Sequence, residues 1–495
     1  GIKRHRGSAV FASVTAFLLL AALMYSFNFT KGGGGGAIDS LAVLPFDNAG
    51  GDPETEYLSD GISDSVLNSL SRLPNMRVIS HNTVFRYKGR QVDPQAVGRE
   101  LNVGAVLMGR VAQRGDALAI SVELVDVSDN RRLWGEQYHP KQSDILAVQE
   151  EIVGQIAEKL RPRLGDPDKQ RLTKRYTENA DAYHAFLKGR YLLDKRTGPT
   201  TEKSIEYFEQ AIKLDSNYAP AYAGLGYAYM SLGTLAVRSQ KEVIPKANEA
   251  VAKALELDDT LAEAHTALGY IKLFEWDWTG SERAFKRGIE LNPNSGYAHD
   301  TYAFFLRAVR RFDEAVAESK LAAELEPTSA VFNKDLAMML YSARRYDEVI
   351  EQCHKALELN PNMHVVYWWL HRAYRQKGLY EQAIEAELKG RDLEEPRPET
   401  ATALKEAYAV SGWKGYLQKD LDLEKARAKQ TYINPFGFAE LYAQLGDKDQ
   451  TFAWLEKSQE VHELQITTLN GDPIFDELRS DPRYHHLLRR MNLEP

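Results

Sequence analysis

A chain of 495 residues, 43% hydrophobic and 27% charged, has room for about two to four domains. A net charge of −8 argues against a nucleic-acid-binding face, since such faces are usually basic. One cysteine, Cys353, excludes an internal disulfide, and its place on the apolar side of a helix reads as packing.

The chain begins with an apolar stretch. Residues 7–29 carry no charge and are long enough for a helix to cross ~30 Å of hydrocarbon, so they read as a transmembrane helix. Lys3, Arg4 and Arg6 precede it and Lys31 follows it. That asymmetry makes residues 1–6 a cytoplasmic stub and places the rest outside the cytoplasm. A signal peptide is the rival reading, but the apolar run exceeds a usual h-region and no small-x-small site follows cleanly. Residues 30–37 contain five glycines and read as a flexible linker, because no Gly-Lys-Ser/Thr follows to bind phosphate. The start on Gly1, with basic residues at once, reads as the C-terminal part of a longer protein.

Residues 38–165 read as an α/β domain in the order β-α-β-α-β-β-β-α. Ser40 to Phe46 is a short apolar run ending beside Pro45, which suits a buried strand. Leu58, Ile62, Val66, Leu67 and Leu70 fall on one helical face. A short strand at 77–80 and a helix at 94–101 follow. Residues 103–111 and 118–127 alternate across Gly115-Asp116, a hairpin signal, with a third strand at 132–138 and a helix at 144–160. Asp60 and Asp64 lie four apart, with Glu56 at the helix start. These are expected to be favourable charge near an N-terminus rather than a catalytic or metal site. The set LAVLPF, EYLSDGISDSVLNSL, VFRYKG, VGAVLMGRV, LWGEQY and DILAVQEEI resembles the amino-terminal domain of the periplasmic protein TolB. The resemblance implies a single-pass protein of the bacterial inner membrane with its bulk extracytoplasmic. It implies a missing cytoplasmic kinase, DNA-binding or cyclase domain, and the chain is most similar to the serine/threonine-kinase-linked form.

Residues 180–460 repeat themselves. Pro293, Pro327 and Pro361 are 34 residues apart, and Ala315/Val349, Ser319/Cys353 and Ala322/Ala356 recur at the same interval. In one block Leu268, Gly269 and Lys272 fall on a first helix, Ser281, Phe285 and Gly288 on a second, and Asn292-Pro293 closes the unit. Small residues where helices cross and a proline stop suit a stacked helix-turn-helix. This resembles the tetratricopeptide repeat, and about seven such units fit, with an insertion near 235–243 and a degenerate last unit at Phe438 to Ser458. His371 and Gly390 depart from the pattern. Residues 461–495 read as a C-terminal cap. The fold class expected is therefore a transmembrane helix, a small α/β domain and an all-α repeat solenoid.

Catalytic motifs are lacking: there is no kinase loop set and no Gly-x-Ser-x-Gly elbow. His462-Glu463 fails as a zinc motif because Ile466 stands where the second histidine belongs. No enzyme activity, cofactor or metal is expected. Trp276 and Trp278 read as packing anchors. The function expected is protein or peptide binding in a sensory module, through first-helix residues Tyr270, Phe304, Arg307, Lys334, Met338, Tyr341, Trp368, Arg372 and Arg375. Alternatives are a part of a receptor-like kinase, or an envelope scaffold.

Overall fold

The computed structural model describes residues 38–493 apart from 53–54, 74–75, 161–171, 173, 196, 236, 432 and 462. The stub 1–6, the apolar stretch 7–29 and the linker 30–37 lie outside the described residues, as does His462. Among the described residues no helix is long and apolar enough to cross a membrane. The fold class is accordingly corrected: the chain is a mostly helical, tetratricopeptide-like solenoid carrying a small sheet domain.

The sheet is built from β1 (Ser40–Val43), β2 (Asp47–Asn48), β3 (Arg77–Val78), β4 (Ala105–Arg114), β5 (Ala117–Asp126) and β6 (Arg131–Tyr138). Its order is β3-β1-β4-β5-β6, with β2 pairing β4. β1 runs parallel to both neighbours, with Leu41 opposite Val78 and Ala105, whereas β4, β5 and β6 form an antiparallel meander. A parallel strand needs a crossover, and α1 (Glu56–Leu70) supplies the one between β1 and β3. Two short helices, α2 (His81–Phe85) and α3 (Pro94–Glu100), join β3 to β4, and α4 (Ile145–Leu160) closes the domain. Asp93 caps α3 by accepting from the backbone N–H groups of Gln95 and Ala96. Leu41, Phe46, Ile62, Val66, Val106, Leu124, Ile152 and Ile156 form its buried core. The short helix α2 and the two-residue β2 were not legible as elements, being shorter than any period they could display.

The repeats begin with α5 (Ala180–Leu193) and α6 (Gly198–Leu214), followed by α7 (Ala219–Thr234) and α8 (Gln240–Leu257). The insertion near 235–243 is absorbed mainly by lengthening that second pair to 16 and 18 residues. Four further pairs follow: α9 (Ala262–Phe274) with α10 (Trp278–Leu291), α11 (Gly296–Ala308) with α12 (Phe312–Leu325), α13 (Ala330–Ser342) with α14 (Tyr346–Leu359), and α15 (His364–Gln376) with α16 (Tyr380–Glu394). The turn inside each of these four pairs holds one left-handed residue, Trp276, Arg310, Arg344 and Gly378, with φ of 57°, 64°, 62° and 72°. Those positions keep the 34-residue interval, and Gly412 and Gly446 continue it. Gly412 breaks α17 (Pro398–Arg427) into two halves, whose Leu404 and Leu417 share one apolar cluster with Ile384. This stretch thus occupies the place of a further pair that the sequence reading did not separate. Then come α18 (Pro435–Leu445), α19 (Lys448–Glu460) and, after two 3₁₀ turns, α20 (Pro482–Arg490).

Size complementarity explains the repeat positions. A Cβ at Gly269 would lie 2.7 Å from the Phe285 ring, so glycine on the first helix is matched to a large residue on the second. One and two repeats later the same two positions hold Ala303 with Ser319, and Ala337 with Cys353. In the next repeat they hold His371 and Glu387, whose Nδ1 and Oε2 are 3.1 Å apart. The departure at His371 is therefore a polar substitute for packing. Gly390 has a reason of its own: a Cβ there would lie 3.2–3.3 Å from Tyr367, the His364 carbonyl and Trp368.

Candidate functional site: the repeat groove

First helices α9, α11, α13 and α15 present a groove, and α16, α17, α18 and the C-terminal segment wall it in. The open cavity within the groove measures about 710 Å³. Eight of the nine expected groove residues line it: Tyr270, Phe304, Arg307, Lys334, Met338, Trp368, Arg372 and Arg375. Tyr341 does not. It is fully buried, with its ring 5.6 Å from that of Trp369, and its hydroxyl accepts from Arg375 at 3.1 Å. It supports the groove from beneath because its long side chain fills the space between α13 and α15.

The arginines differ from the expected free strip. Arg372 Nη1 donates to Asp472 Oδ2 at 2.8 Å, its Nη2 pairs with Glu440, and its guanidinium lies 5.2 Å from the Trp369 ring centroid. Burial would raise the Asp472 carboxyl, but Arg372, the Ile474 N–H and Arg307 outweigh it and hold it low. Burial raises the Glu440 carboxyl despite Arg372. Arg372 is thus a brace between a first helix and the C-terminal segment, which corrects its reading as a docking charge. Lys334 pairs with its neighbour Asp335.

Arg307 and Arg375 have donors to spare. Arg307 is only 2% exposed, and its Nε donates to Ser342 Oγ at 2.7 Å. That is its one hydrogen bond among the described residues, and its side chain lines the cavity. Desolvation, with Arg372 adding, lowers its pKa to about 10. Arg375 donates to the Tyr341 hydroxyl and meets no carboxylate among the described residues. Beside them in the cavity lining Trp368 is 41% exposed.

Across the cavity lies a buried charge cluster that sequence reading missed. Arg391 pairs with Glu387, Asp420 and Glu424 at 2.7, 2.7 and 3.1 Å, and the Tyr416 hydroxyl donates to Glu387. Burial chiefly, with Glu387 and Glu424 adding to it against Arg391, raises Asp420 to about 7. Glu387 stands where earlier repeats carry Phe285, Ser319 and Cys353, so a carboxylate at a core position was the available signal. Asp472 and Glu440 gave none, because neither keeps the repeat's packing pattern.

The sheet-domain carboxylates do more than charge a helix end. Glu56 stands in the first turn of α1 as helix-end charge, but it and Asp60 also hold Lys88, and Asp64 takes Arg190 from α5 and His81 from α2. Burial would raise Asp64 and lower His81, yet Arg190 and His81 hold Asp64 at about 2, and Asp64 holds His81 at about 9 against the opposing charge of Arg190. Asn294, next to a repeat-closing proline, donates to the Ser71 and Met76 carbonyls at 2.9 and 2.8 Å and so ties the repeats to the start of β3. Trp278 anchors the other end: its indole donates to the Met491 carbonyl at 2.7 Å.

Comparison with known proteins agrees with the architecture and revises one resemblance. Residues 37–155 match the model of the HilA/YgeH-like transcriptional regulator, second domain, and residues 201–218 match a tetratricopeptide repeat. The TolB resemblance and the kinase link find no support there. Putative adenylate cyclase 3 of Rhizobium meliloti (strain 1021) is 33% identical over 186 residues, 38% of this chain and 32% of that protein. Transcriptional regulator HilA of Salmonella typhimurium is 20% identical over 280 residues, 56% of this chain and 49% of that protein. The chain therefore spans a third to a half of the length of these relatives. Among solved structures, YrrB, described as a tetratricopeptide-repeat protein with an unusual peptide-binding site, is 21% identical with a TM-score of 0.27, over 39% of this chain and 92% of that one. An IFIT1 monomeric mutant is 15% identical with a TM-score of 0.43, over 71% and 80%. The chain is a tetratricopeptide-like helical solenoid that carries a small sheet domain.

Proposed function

We propose that this chain is a protein-interaction module whose groove captures a peptide segment bearing a carboxylate next to an aromatic or apolar residue. The observation that carries it is the pair of guanidinium groups, Arg307 and Arg375, facing one cavity with donors that meet no carboxylate. A buried guanidinium is costly to leave without acceptors, so an acidic side chain entering the groove gains charge-assisted hydrogen bonds. Trp368 offers the adjoining apolar contact. The matched stretches are shared with proteins named as a cyclase and as transcriptional regulators, and this supports a binding role for the common part beside differing activities. A sensory role is the reading that joins such a module to an effector.

The test is selection of displayed peptides on the purified chain, followed by fluorescence titration of the winners. Enrichment of Asp or Glu beside an aromatic is expected, with at least tenfold weaker binding to Arg375→Glu and to Trp368→Ala. Both side chains are at least partly exposed, so melting temperatures should stay within about 3 °C. Enriched peptides without acidic residues, or full binding by both variants, would sink the proposal.

A further inference from the structure

A second cavity, about 380 Å³, lies where α1, α2 and α4 of the sheet domain meet first helices α5, α7 and α9. Its unspent polar capacity is on the donor side. Gln149 is 8% exposed, its Oε1 accepts from the Tyr183 hydroxyl at 2.6 Å, and its Nε2 is buried with no acceptor among the described residues. The Ser80 hydroxyl is buried without a partner in the same way. Arg190 spends its contact on Asp64, which His81 shares at 3.3 Å. Arg72 donates to the Tyr176 hydroxyl at 3.1 Å and finds its nearest carboxylate, Glu263, only at 3.9 Å.

The carboxylates at this cavity are already engaged or wet. Asp64 serves two cations, and Glu150 takes Arg175 at 2.7 Å. Asp194 and Glu326 have interactions of their own, and the Glu263 side chain is half exposed. The remaining wall is apolar and in part aromatic: the Phe186 ring centroid lies 5.9 Å from Phe208 and 5.2 Å from Tyr218, with Leu67, Val153 and Leu193 beside them. Donors without acceptors beside a ring-lined wall call for a molecule with an oxyanion at one end and a flat apolar body at the other.

We infer that this junction binds a small aromatic carboxylate, its oxygens accepting from Arg72, Arg190 and Gln149 and its ring lying against the aromatic wall. Because those groups come from both the sheet domain and the first repeat pairs, the bound molecule bridges the two and strengthens their contact. The site is separate from the peptide groove and its test is independent of it.

The probe is 3-phenylpropionate, titrated into the full chain by calorimetry and in thermal melts, with neutral 3-phenylpropanamide as the isostere. A saturable heat and a rise in melting temperature are expected for the acid and neither for the amide. Gln149→Glu keeps the acceptor for Tyr183 and sets a negative charge against the ligand, and Arg72→Gln keeps a donor for Tyr176 while removing the cation. Each should weaken the acid at least tenfold, while Trp368→Ala in the groove leaves it unchanged. Circular dichroism establishes that each variant is folded, and if one is not, the other decides. No binding of the acid, equal binding of the amide, or unchanged affinity in a folded variant would overturn the inference.

Discussion

Arg372 and Arg375 lie three residues apart on one helix and face the same cavity, yet their environments are opposite. Arg372 neutralises two buried carboxylates, Glu440 and Asp472, whereas Arg375 leans on a phenol. Removing one partner of a buried ion pair leaves an uncompensated charge, which costs about 3–5 kcal/mol. Arg372→Ala should therefore lower the unfolding free energy by about that amount in urea titrations, and Arg375→Ala by less than about 1 kcal/mol. Equal effects would show that the brace carries no stability. Residue type alone marked all three groove arginines as docking charges, because the carboxylates that engage Arg372 come from positions 68 and 100 residues further along the chain.

At the scale of elements, the contact of α1 and α2 with α5 is made by titratable groups. His81 is raised from 6.5 to about 9, so its contribution is complete below pH 6.5 and is lost as pH rises through about 9. Asp64 is depressed from 3.8 to about 2, so its contribution is complete above pH 3.8 and is lost as pH falls through about 2. Stability from this junction is thus greatest between those limits. Asp420 runs the other way. Raised from 3.8 to about 7, it binds its proton more tightly in the folded state, and stability falls as pH rises between those values. In urea midpoints measured against pH, His81→Gln should flatten the slope between 6.5 and 9, and Asp420→Asn the slope between 3.8 and 7. Unaltered profiles would mean that neither group titrates differently on folding.

At the scale of the whole molecule, the C-terminal segment decides how much of the array is closed. Phe436, Phe475, Tyr484, Leu488 and Met491 form one cluster with Trp276, Trp278 and Val309, so the C-terminal segment packs on turns far earlier in the chain. A chain ending at residue 460 loses Asp472 from Arg372 and uncovers those rings. It should unfold at distinctly lower urea and bind a hydrophobic dye that the full chain does not. An unchanged midpoint would make the segment a passive tail.

Much of this was legible from sequence because it rests on local periods. Two-residue alternation gave β4 to β6, a 3.6-residue face gave α1, and the 34-residue interval gave the helix pairs, since each pattern is imposed by backbone geometry within a few turns. The second half of α17 was hidden because its helix break depends on one glycine and not on a proline stop. Which face a charge serves was not legible at all. Asp64 with His81 and Arg190, Arg372 with Glu440 and Asp472, and Asn294 against Met76 are pairings between segments far apart in sequence, and no period links them. The sequence by itself determined the repeating helices, the sheet and the residues available to the groove. Only the tertiary structure decided which of those charges are spent on holding the fold and which keep donors for a partner, because a buried charge takes its role from what lies across the cavity.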